Sequence, residues 1–90
     1  MGKVANWNGR TQSHGFNVDV SRDRKTGMFV AQLHTSSPPL MQQHSPGARP
    51  PMMKFDEPEE IKHEDLDQLR ELTKNRITSR CGKILQFFEN

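Results

Sequence analysis

The chain has 90 residues and a formal net charge of +2, a length that leaves room for one small domain and excludes a second full one. Hydrophobic residues make up 31% and mean hydropathy is −0.90, too little apolar material to close a core as complete as that of a larger domain. Stability that rests partly on a partner is therefore expected.

The single cysteine, Cys81, cannot close an internal disulfide, and small secreted chains usually need such bridges. A cytoplasmic setting is expected. Residues 1–6 hold no apolar run of signal-peptide length, and Asn6 stands where a myristoylation signal wants Ser or Thr. No stretch reaches half the length that spans a bilayer, so no membrane association is expected.

The net charge hides two unlike halves. Residues 1–54 carry seven Lys and Arg against Asp19 and Asp23, whereas residues 55–90 carry six against nine acids. Such asymmetry steers charged partners, and it favours nucleic acid where the basic half forms a patch.

In chain order, residues 1–15 read as a polar, glycine-punctuated arm, with Trp7 as its strong anchor folding back onto the core. Residues 16–34 read as a β-hairpin. Phe16, Val18 and Val20 alternate with Asn17, Asp19 and Ser21, the two-residue period of a half-buried strand. The run from Met28 to Leu33 is nearly continuous in hydrophobicity, as expected of a strand covered on both faces. Gly27 suits the left-handed position of the turn between them.

Residues 35–51 hold five of the six prolines and read as an extended Pro-rich loop, since paired prolines cannot donate to a sheet ladder. Met52, Met53, Lys54 and Phe55 form a short apolar stretch, the candidate third strand. Asp56, Pro58 and Glu59 have the form of a helix N-terminus, with Glu57, Glu59 and Glu60 as its acidic first turn. Leu66, Leu69, Leu72, Ile77, Cys81, Ile84 and Phe88, with Thr73 between, then recur at roughly helical spacing and predict one wide apolar face. Gly82 is expected to end or interrupt the helix, leaving residues 83–88 as a last turn or a strand. The expected fold is α+β: a hairpin or small three-stranded antiparallel sheet packed against a C-terminal helix, with the Pro-rich loop between.

No catalytic constellation emerges. His14, His34, His44, His63 and Cys81 are all at least ten residues apart and show no close pair that would seed a metal site. Neither phosphate-loop pattern is present. No enzyme activity, cofactor, metal or small-molecule substrate is inferred. The expected function is that of a non-enzymatic accessory or regulatory protein that binds a larger protein or a second copy of itself. Leu69, Leu72, Ile77, Ile84 and Phe88 would give apolar burial, and Arg24 and Lys25 electrostatic register. The alternative is a nucleic-acid module in which Arg10, Arg22, Arg24, Lys25 and Arg49 converge on phosphates.

Overall fold

A computed structural model describes residues 3–36 and 58–90. Five strands and one helix are arranged along the chain as β1 (Lys3–Thr11), β2 (Gly15–Arg22), β3 (Phe29–Ser36), β4 (Glu59–His63), α1 (Leu66–Cys81) and β5 (Ile84–Glu89). The strands form one antiparallel sheet in the order β4-β3-β2-β1-β5. The helix therefore carries the chain from one edge of the sheet to the other. The fold is α+β as expected, but the sheet has five strands where a hairpin or three strands were expected.

The hairpin is formed by β2 and β3, paired from Gly15↔Ser36 to Arg22↔Phe29. Its turn closes on Gly27, which has φ 74° and donates its amide to the Asp23 carbonyl at 2.7 Å. Phe16, Val18 and Val20 are buried under the helix, while Asn17 and Asp19 point the other way. The expectation that β3 is covered on both faces holds only in part. Ala31, Leu33 and Thr35 are buried under the helix; on the other side Val30 and Ser36 are buried, but Gln32 is exposed and His34 half-buried. The strand also runs through Thr35 and Ser36, where the Pro-rich loop was expected to begin.

The arm is a strand as well. Ala5, Trp7, Gly9 and Thr11 face the helix, and Asn6, Asn8 and Arg10 face away, in register with Asp19, Asn17 and Gly15 of β2. Asn and Gly are poor strand formers in isolation, but here the amides are satisfied across the sheet. Asn6 Nδ2 donates to Asn17 Oδ1 at 3.0 Å and to Asp19 Oδ1 at 3.0 Å, and Asn8 Nδ2 donates to Asn6 Oδ1 at 2.8 Å. Trp7 is a core residue, 3% exposed.

The expected helix start at Asp56 to Glu59 is also corrected. Glu59 and Glu60 belong to β4, held against Leu33 and Gln32 of β3, and the helix begins at Leu66. Asp65 is its N-cap, accepting from the amides of Asp67 at 2.8 Å and Gln68 at 3.2 Å. Gly82, with φ 90°, closes the C-terminus and donates to the Thr78 carbonyl. Residues 84–89 then pair with β1 as a strand. The candidate strand at residues 52–55 and residues 37–51 of the Pro-rich loop lie outside the described residues.

Because the helix stops at Cys81, its buried stripe is narrow: Leu69, Thr73 and Ile77, each one turn from the next. Thr73 satisfies its buried hydroxyl by donating to the Leu69 carbonyl at 2.7 Å. Leu69 and Ile77 pack on Trp7, Phe16, Val18, Val20, Ala31 and Leu33, and full burial of each such aliphatic side chain contributes about 1.5–3 kcal/mol. Cys81 is half-buried at the helix end.

Candidate functional site: the open sheet face and its edges

With α1 on one face, no other element among the described residues packs on the second face of the sheet, here called the open face, and the strand register sets what lies on it. One row across the strands runs His34, Asn17, Asn8, Phe88; the next runs Ser36, Gly15, Arg10, Gln86. These two rows border a shallow hollow of about 360 Å³. Among the described residues no carboxylate lines it, and Arg10 is its one fixed charge. Gly15 leaves the floor low between the longer side chains.

Further along the same face, the amide network leads from Asn8 through Asn6 to Asp19, which is paired with Lys3 at 2.9 Å. The Lys3 ammonium beside it holds the Asp19 carboxyl below the usual carboxylate range; partial burial opposes this and the Asn6 amide reinforces it. At the hairpin end a second depression of about 460 Å³ is lined by Lys3, Val4, Arg22, Asp23, Arg24 and Gly27. Arg22 also lies over the Phe29 ring, 5.6 Å from its centroid.

The charge asymmetry of the sequence reappears as an asymmetry of pairing. On β4 and α1, Lys62 pairs with Glu60, Arg70 with Glu89 at 2.9 Å, Lys74 with Glu71, and Arg76 and Arg80 both with Glu59 at 3.0 and 3.1 Å. Among the described residues, Arg10, Arg22, Arg24, Lys25 and Lys83 have no carboxylate at ion-pair distance.

The two sheet edges differ. The β4 edge carries Glu59, Glu60, Lys62 and His63 around Ile61, and Glu59 is gripped by two arginines; charges of this kind discourage further strand pairing. From Ile84 to Phe88 the β5 edge carries no charge and no proline, with Leu85 49% and Phe88 53% exposed. A bulge opposite Arg10 and Thr11 adds Leu85 to the strand. The strand is held from the inside by Phe87, whose ring lies 6.3 Å from Trp7 and 6.0 Å from Phe16, with Lys74 Nζ 4.6 Å above it.

The residues expected to bind a partner are thus dispersed. Leu69 and Ile77 are fully buried and present no surface. Leu72 is 42% exposed on the outer side of the helix, Ile84 is half-buried against the core, and Phe88 lies across the sheet from both, on the open face. Arg24 and Lys25 are exposed in the β2–β3 turn. Of the nucleic-acid set, Arg22 and Arg24 meet at the hairpin end, Arg10 sits at the opposite end of the sheet, and Arg49 lies outside the described residues. Leu85, Asn8 and Asn17 were not singled out by sequence as binding residues, and His34 was weighed only as a metal ligand; the alternation of Asn6, Asn8 and Arg10 around Trp7 was the signal for the polar row. Among the described residues, no three His, Cys, Asp or Glu side chains come together as a metal site would require. No family model matches the chain, and neither a curated protein nor a solved structure is similar to it at a significant level.

Proposed function

We propose that this is a non-enzymatic accessory or regulatory protein that binds a larger protein by accepting an extended segment of it along β5. The observation that carries this reading is the contrast between the edges: β4 is charged along its length and clamped, whereas β5 is uncharged from Ile84 to Phe88, with Leu85 exposed beside it and its one charge, Glu89, at the end and paired with Arg70. Main-chain hydrogen bonds to such an edge supply affinity, and exposed side chains beside it supply selectivity. The outward Leu72 on the helix adds apolar area for the partner's body. A cytoplasmic setting accords with this reading, and among the described residues no helix is long and apolar enough to cross a membrane.

The test pairs affinity capture from the native host with hydrogen exchange. The wild-type chain should retain one protein at high salt, Leu85→Lys should release it while the thermal midpoint holds, and the outward amides of β5 should gain protection in the complex. A captured partner that leaves β5 exchange unchanged refutes strand addition. A concentration-dependent dimer with the same protection would identify the partner as a second copy.

A further inference from the structure

The open face has a chemistry of its own, independent of the β5 edge. Cations without a carboxylate partner stand at both ends: Arg10 beside the hollow, and Arg24 and Lys25 in the hairpin turn, whereas Arg22 leaves the end of β2 on the helix side, over the Phe29 ring. Seven residues of β2 separate these ends, about 24 Å at strand rise. No small anion reaches both, so the complementary ligand is a polyanion. Between the cations, β1 and β2 present amides, and the two carboxylates on the face each have a lysine beside them: Asp19 with Lys3, and Glu60, opposite Gln32, with Lys62. Phe88 and His34 stand at the two ends of one row, three strand spacings apart, or about 14 Å. An exposed ring flanked by amides and a guanidinium suits unstacked bases: the ring stacks, the amides meet base edges, and the guanidinium holds a phosphate. A duplex keeps its bases stacked and offers the Phe88 ring nothing.

We propose that the open sheet face binds single-stranded nucleic acid, with Phe88 stacking a base, Arg10 holding the neighbouring phosphate, and Arg24 and Lys25 in the hairpin turn gripping the strand where it leaves the sheet. This surface is distinct from the strand-accepting edge: it uses the Phe88 ring and the outward side chains of β1 to β3, not the β5 backbone.

Fluorescence anisotropy with a labelled single strand of about 12 nucleotides, the same sequence as a duplex, and heparin as competitor tests it. The wild-type chain should bind the single strand more tightly than the duplex. Arg10→Glu and the double variant Arg24→Glu/Lys25→Glu should each weaken binding at least tenfold at about 50 mM salt and flatten the dependence on salt. Phe88→Ala should weaken it about tenfold with the salt slope unchanged, and Phe88→Trp should retain binding. Circular dichroism confirms that each variant is folded. Absence of single-strand binding overturns the proposal. So does equal affinity for duplex and heparin with Phe88→Ala at the wild-type level, which would mark a non-specific basic surface.

Discussion

Gly9 of β1 lies so close to Gln86 of β5 that a Cβ built on it would stand 1.9 Å from the Gln86 carbonyl oxygen and 2.9 Å from Phe16 Cζ. No rotamer relieves a clash between a Cβ and a backbone oxygen, so any side chain at Gly9 pushes β5 away from β1. Gly9→Ala should cost about 2–3 kcal/mol, the upper range for overpacking, read by urea denaturation, and should speed amide exchange along β5. Gly15 is the control. Its built Cβ meets Ser36 Oγ at 3.4 Å, so Gly15→Ala should change stability by no more than about 0.5 kcal/mol. Equal stabilities for the two variants would show that β5 is not seated on β1 in this register.

The helix start is capped by a single carboxylate. Asp65→Ala removes the acceptor for two amides of the first turn and should cost about 1 kcal/mol, whereas Asp65→Asn, which keeps an acceptor, should restore most of it. Glu59→Gln should cost less than about 1 kcal/mol and lose its effect at high salt, because its two arginines and the carboxylate are all partly exposed. A larger and salt-independent cost at Glu59 would place the helix cap there instead.

That distinction also shows where local sequence runs out. Asp56 with Glu59 and Asp65 with Gln68 have the same capping spacing, and nothing within either segment chooses between them. The choice comes from β3, which takes Glu59 opposite Leu33 and Ile61 opposite Ala31. The β2–β3 hairpin was legible because three large apolar residues alternate and Gly27 marks the turn, and the helix end because Gly82 suits the backbone that ends it. β1 was hidden because its inward positions, apart from Trp7, are the small Ala5, Gly9 and Thr11, which leave little apolar contrast. In β5 the extra residue Leu85 breaks the two-residue period. The open face was read only as a surplus of positive charge; the alternation around Trp7 marks its β1 positions, but its rows join side chains of four separate strands.

Leu69 and Leu72 are three residues apart on one helix and have opposite fates, 0% and 42% exposed. Leu69→Ala opens a cavity against the sheet and should cost about 2–5 kcal/mol. Leu72→Ala removes an already hydrated side chain and should cost less than about 0.5 kcal/mol. Thermal unfolding of the two variants separates them directly, and a comparable loss in both would mean that the helix is rotated about its axis relative to the packing described.

The Lys3–Asp19 pair makes a pH prediction whose sign is set by its chemistry. The Lys3 ammonium lowers the Asp19 carboxyl relative to the unfolded chain, so folding favours the ionised form. Its contribution is present in full above the unfolded carboxylate range and is lost as pH falls below about 4, through the lower folded value. Both side chains are substantially exposed, 60% for Lys3 and 40% for Asp19, so the effect is screened and should shrink with added salt. Lys3→Met should raise the Asp19 titration midpoint, followed by carboxyl NMR, and make the acid limb of the stability curve less steep. An Asp19 midpoint unchanged by that substitution would show that Asn6 and the surrounding amides, not the ammonium, stabilise the carboxylate.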